Sequence, residues 1–158
     1  MLERLLPRTI DNVYRGHRLA LWLFVPVVAL KMAIALGTIF NGRTSARMAD
    51  GIPLDSFGAA GAEAVVALFA IWGLAQLVFG ALGVLALTRY RAMIPFMFTL
   101  FTLEHLARRV LLLAHPIQRN PAAGPFINLG LLAMMLVGLA LSLRGPVTAS
   151  SAGRGRAL

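Results

Sequence analysis

Residues 100–115 read LFTLEHLARRVLLLAH. Both ends are apolar, yet the middle carries Glu104, His105, Arg108 and Arg109, and His115 closes the run. If this segment crosses a bilayer, the chain makes four crossings around a polar interior. If it stays outside, the chain makes three crossings and its two ends lie on opposite sides.

The composition frames the choice. The chain has 158 residues, 59% hydrophobic and 13% charged, whereas soluble domains carry about 25% charged residues. Several apolar runs exceed the roughly 18 residues that mark a bilayer span. An integral membrane protein of a few helices and short loops is expected, without a separate soluble domain. With no cysteine, disulfides, thiolate metal sites and cysteine nucleophiles are excluded. The net charge of +9 suits loop arginines that set topology and meet anionic headgroups. Nucleic acid is not expected as a partner, because the arginines are scattered among loops and lack an aromatic stacking face.

Four spans are predicted at about 19–40, 59–87, 93–115 and 126–143, making an all-α transmembrane bundle over 19–143. Residues 1–18 form a basic lead-in in which Asp11 and Asn12 are placed to cap a short interfacial helix, with Tyr14 and Trp22 near the headgroups. Pro26 is expected to kink the first span. That span is not read as a cleaved signal peptide, because it is too long, Lys31 interrupts it and no small-x-small site follows. Residues 41–58 read as a polar loop, 88–92 as a tight basic turn, 116–125 as a second loop and 144–158 as a flexible basic tail. Pro95 is tolerated in the first turn of the third span.

Arginine counting sets the orientation. With four spans, one side holds Arg4, Arg8, Arg15, Arg18, Arg89, Arg91, Arg144, Arg154 and Arg156, and the other holds Arg43, Arg47 and Arg119. The richer side belongs in the cytoplasm by the positive-inside rule, which places both termini there and the protein in a bacterial-type inner membrane. Three spans give a poorer bias, because the basic tail then falls outside.

Depth follows from the helical rise of about 1.5 Å per residue. Lys31 and Glu104 each lie ~18 Å from the cytoplasmic ends of their helices, and Gln76 lies ~17 Å from its own. Three polar groups on three helices thus share a level just past the middle of a core roughly 30 Å thick. Asn128 follows at ~22 Å and Arg108 and Arg109 at ~24 Å, while Glu63 and His115 reach the outer headgroups at ~34 to 36 Å. At about 100° per residue, and with Glu104 at zero, His115 lies about 20° away, Arg108 about 40°, His105 about 100° and Arg109 about 140°. One face of the third helix is therefore polar and must point inward, since a lipid-facing charge costs several kcal/mol. Glu104 has Lys31 or Arg108 as partners, the latter at favourable i, i+4 spacing, and His105 has Gln76 or Asn128. Gly73, Gly80 and Gly83 of the second span, with Gly138 and Ser142 of the fourth, allow close helix approach.

The candidate site is thus Lys31, Gln76, Glu104, His105, Arg108, Arg109 and Asn128. Its cations outnumber Glu104, so an anionic or amphipathic small molecule is expected from the outer side, such as a lipid or quinone-like headgroup held by the arginines. Two other classes remain open. The cluster can be a buried ion network that only fixes helix register in an accessory subunit. It can also relay protons through Glu104, His105 and Lys31 in a proton- or redox-coupled component. Asp50 and Asp55 in the outer loop DGIPLD read as a solvated turn, with a lid over the cluster as the alternative.

No haem or metal is expected. His105 and His115 are ten residues apart on one helix and His17 lies near the opposite surface, so histidines do not face one another. No phosphate loop, nucleophile elbow or zinc-protease motif occurs, and stand-alone catalysis is not expected. The lipid bilayer is the expected partner, with a homo-oligomer or a larger membrane complex beside it. The plan of four short spans with a polar inner face is similar to DoxX-like small membrane proteins, some of which are oxidoreductase subunits. That likeness of hydropathy and size assigns no role to any residue of this chain.

Overall fold

The computed structural model describes residues 5–7 and 10–144, and these form helices and connecting turns with no strand among them. Four long helices account for most of the chain: α1 (Arg18–Phe40), α2 (Ala59–Thr88), α3 (Ile94–Ala114) and α4 (Gly124–Leu143). Their ends fall within a residue or two of the expected spans. The basic tail beyond Arg144 lies outside the described residues, as do Arg4 and Arg8.

Three of the helices, α1, α2 and α4, are long and apolar enough to cross a membrane. α3 has the length, with 21 residues or ~32 Å of rise. Its charges Glu104, Arg108 and Arg109 set it apart from the other three.

Helix ends follow local chemistry. His17 starts α1 by accepting the Leu19 N–H on Nδ1 at 3.2 Å, and α1 runs through Pro26 without a break. Proline occupies the first turn of α3 and of α4, where its missing N–H leaves no helix bond unmade. The lead-in differs from expectation: no helix forms over residues 10–17. Asp11 instead closes a turn, accepting the Val13 N–H at 3.1 Å and the Arg15 guanidinium at 2.6 Å. An aspartate two residues before an N–H offers the backbone this local turn as readily as a helix cap. The lead-in is pinned across the bundle end by the bond from Ala92 N–H to the Asp11 carbonyl and from His17 N–H to the Leu141 carbonyl.

The most extensive packing joins α1 to α2. On α2 the buried residues Gly73, Gln76, Gly80 and Gly83 recur every three or four positions, as a seam of small residues along one helix face requires. A Cβ at Gly80 would lie 2.6 Å from Met32 Cγ, and one at Gly83 would lie 2.9 Å from Val28 Cγ2. Glycine there lets the two backbones approach. At Gly138 of α4, a Cβ would lie 2.3 Å from Phe98 Cζ, so α3 seats a ring directly on the α4 backbone.

The apolar core is lopsided. Phe24, Val27, Ile94, Phe98, Phe101 and Met135 are fully buried at the end where the lead-in sits. Phe24 meets Phe98 edge-on at 4.9 Å and stacks on Phe101 at 6.0 Å between ring centroids. Toward the other end this core stops. On α3 no residue beyond His105 is buried. Instead of a plain polar loop, residues 41–58 fold over that end as a helical turn (Gly42–Thr44), a π-type turn (Ser45–Ala49) and a 3₁₀ turn (Leu54–Ser56). Gly51, at φ 71°, accepts the Asn120 N–H at 2.7 Å and joins this loop to the one between α3 and α4. A side chain at Gly51 is excluded twice, by the left-handed backbone and by the Asn120 carbonyl 2.2 Å from where its Cβ would stand.

Candidate functional site

Just above the aromatic core, one polar layer crosses the helices. Lys31 lies in the buried face of α1 and Gln76 in the glycine seam of α2. Glu104 of α3 joins them: its Oε2 accepts from Lys31 Nζ at 3.2 Å and its Oε1 from Gln76 Nε2 at 2.9 Å. Lys31 also sits 5.0 Å from the centroid of the Phe101 ring. Buried charges need partners of this kind. Each carboxylate oxygen thus has one partner from another helix, and the Glu104–Arg108 pairing that helix spacing allowed is not made. Arg108 turns from Glu104 toward α2, with its guanidinium 5.1 Å from the Trp72 ring centroid. Gln76 likewise bonds Glu104 rather than His105.

His105 is buried at 4% exposure, and Arg108 and Asn128 are half-buried. Arg109 is exposed and so is His115, which caps the C-terminus of α3. The arc predicted for the polar face therefore divides by height: its lower members are packed inside, and its upper members open to the surroundings.

The opening is a cavity of about 330 Å³ between the outer part of α3, the start of α4 and the two loops. A volume near this value lies at the lower edge of the ~300–1,000 Å³ typical of small-molecule sites. His105, Arg108, Arg109, Arg119, Asn128 and Asp50 supply its polar lining, and Leu112, Leu113, Pro116, Ile117 and Pro125 its apolar wall. A second cavity of about 160 Å³ runs behind it toward Thr38 and Trp72. A water-sized space reaches down to Lys31, Gln76 and Glu104. Arg108 and Asn128 line all three spaces and stand at their junction.

Asp50 is the one carboxylate in the large cavity. Burial raises its carboxyl above the usual aspartate range, while the charges of Arg108 and Arg119 act in the opposite direction. The reading of DGIPLD as a plain solvated turn thus holds for Asp55, which pairs on the surface with Arg47, and not for Asp50. Glu63 pairs with Arg43, also at the surface. Asp50, Arg119 and Trp72 join the arrangement without having been singled out as binding residues from sequence. For Asp50 the signal was the DGIPLD loop, weighed as a lid over the cluster; Arg119, in a loop, and Trp72, inside α2, carried no such signal.

The arrangement can hold an anion among guanidinium groups beside an apolar wall. The described His, Asp and Glu side chains form no group of three that could hold a metal ion. No protein family, curated protein or solved structure matches the chain.

Proposed function

We propose that the chain is a four-span inner-membrane protein with both termini in the cytoplasm, and that it takes the polar head of an anionic amphiphile into its outer cavity. The observation that carries this reading is the cavity of about 330 Å³ in which three arginines face a single carboxylate and an apolar wall. Guanidinium groups hold carboxylates and phosphates through paired, charge-assisted hydrogen bonds. The apolar wall suits a molecule that is half hydrocarbon.

Crossing by α3 is supported by the way it hides its charges. Glu104 is satisfied by two other helices and His105 is buried, so Arg109 alone of its charged groups is exposed, near the outer interface that a long side chain can reach. In this reading Lys31, Gln76 and Glu104 form the structural floor of the site, and His105, Arg108, Arg109, Arg119 and Asn128 form the binding surface. A second reading, proton transfer through Glu104, His105 and Lys31, draws on the water-sized space that all three line.

The test is native mass spectrometry of gently purified protein, comparing wild type with an Arg109→Gln/Arg119→Gln variant. A stoichiometric small-molecule adduct that the variant loses is the expected result. A bare chain in both, or a chain isolated only with another subunit, refutes ligand binding and leaves the polar layer as helix glue in a complex.

A further inference from the structure

Resting on the proposed binding of an anionic amphiphile in the outer cavity, we infer that the head bound between Arg108, Arg109 and Arg119 is a phosphomonoester carried by a lipid, as in phosphatidic acid. Two features of the cavity select it.

The first is charge and geometry. Arg108 and Arg109 are consecutive on α3, so they leave the helix about 100° apart, and Arg119 comes from the following loop. A carboxylate has two oxygens, which one guanidinium fork engages together, and a single charge. Three guanidiniums set against Asp50 leave two positive charges over. A phosphomonoester carries about −1.5 to −2 charge near neutral pH and three acceptor oxygens, which matches both the charge and the number of donors. A phosphodiester brings a single charge, and a zwitterionic head adds a cation among arginines. The Asp50 carboxylate already stands beside Arg108 and Arg119, where the incoming phosphate must compete with it.

The second feature identifies a lipid as the source rather than free phosphate. The apolar part of the lining, Leu112, Leu113, Pro116 and Ile117, begins one helical turn beyond Arg108 and Arg109, and it reaches the surface at Leu113, 76% exposed, and Ile117, 48% exposed. A chain that leaves the cavity sideways past Leu113 runs back along the exposed flank of α3, over Val110 and Leu106, into the bilayer. Inorganic phosphate has no use for such a wall.

Arg108 carries its own reporter, because its guanidinium lies over Trp72. The chain has two tryptophans, so Trp22→Phe leaves Trp72 as the sole emitter. In detergent solution this variant is titrated with dioctanoyl phosphatidic acid, dioctanoyl phosphatidylglycerol, decanoate and inorganic phosphate. The expected result is a saturable change in Trp72 emission with phosphatidic acid, at about tenfold lower concentration than with phosphatidylglycerol, as up to one extra charge beside the half-buried Arg108 and the exposed Arg109 and Arg119 implies. The response should vanish when Arg109→Gln and Arg119→Gln are added, and both sites are exposed enough for an unchanged circular dichroism spectrum. Asp50→Asn should tighten phosphatidic acid binding. If phosphatidylglycerol or decanoate binds as well as phosphatidic acid, the phosphomonoester inference is overturned and the binding of an anionic amphiphile in the cavity stands. If inorganic phosphate alone matches the lipid, the lipid source is wrong. If no probe alters the emission and none is retained by the wild type in native mass spectra, both readings fail.

Discussion

The polar layer can be dissected by a double-variant cycle on Lys31 and Glu104. Removing one member of a buried ion pair costs about 3–5 kcal/mol, because the other charge is left without a partner. Lys31→Met leaves Glu104 with 21% exposure and the Gln76 bond at 2.9 Å, so its cost belongs near the lower limit, about 3 kcal/mol. Glu104→Leu strands Lys31, which is only 5% exposed and keeps just the face of Phe101 for its charge. This change should cost at least as much, about 3–4 kcal/mol. In the Lys31→Met/Glu104→Leu chain neither charge remains, and the residual loss is the Gln76 hydrogen bond, about 1 kcal/mol. The double variant should therefore be more stable than either single one. Equilibrium unfolding in mixed dodecylmaltoside and dodecylsulfate micelles, followed by far-ultraviolet circular dichroism, measures all four chains. Independent sites add to within about 0.5 kcal/mol. If the two single losses simply add in the double variant, or if each is below about 1 kcal/mol, the layer is not the coupled unit described.

Glycines should divide by what their Cβ would strike. Gly138→Ala drives a methyl into the fully buried Phe98 ring, 2.3 Å away, and should cost about 1–3 kcal/mol, whereas Gly130→Ala meets nothing within 4 Å and should be neutral or stabilising by up to about 1 kcal/mol; equal losses at the two sites in the same unfolding assay would contradict the packing of α3 on α4. Burial pushes the Tyr14 phenol up to about 12 from 10.0, so its share of stability is complete below pH 10 and is lost as pH rises through the folded value; a Tyr90→Phe chain, with Tyr14 as its last tyrosine, should show a phenolate absorbance midpoint near 12, and a midpoint near 10 would place that phenol in water. The chain has no cysteine, so single replacements map its topology: with four crossings, Ser56→Cys and Gln118→Cys react with an impermeant maleimide on intact cells and Arg89→Cys reacts only after permeabilisation. Protection of Gln118→Cys would show that α3 does not cross.

The all-helical fold was legible because apolar runs and prolines mark helices directly. The polar layer could be located by arithmetic for a related reason. Gln76 is counted backward and Glu104 forward from the same short turn, so a fixed rise per residue brings them to one height whatever the side chains do. What spacing could not give was the choice among partners. An i, i+4 pair between Glu104 and Arg108 was as permissible as the pair with Lys31, and tertiary packing instead sets Arg108 over Trp72. Arg119 escaped, and Asp50 was favoured as a solvated turn over a lid, for a different reason. Loops have no period, and their placement rests on Gly51 meeting the Asn120 backbone, a contact that no local rule forecasts.

The uneven core gives the site its physical logic. At the lead-in end, Phe24, Phe98 and Phe101 fill the space between helices. A cavity there would remove packing contacts and cost stability in proportion to its volume. At the other end, α3 buries nothing past His105, so an opening between α3 and α4 forfeits little apolar packing. The polar layer lies at the boundary between the two regimes. With Glu104 bonded to both Lys31 and Gln76, it closes the packed half without needing anything from above. The arginines beyond it are not needed to satisfy that layer, and Arg108 is held by Trp72 rather than by Glu104. Because Glu104 is already partnered from two other helices, the proposed site can present its guanidinium groups to an anion.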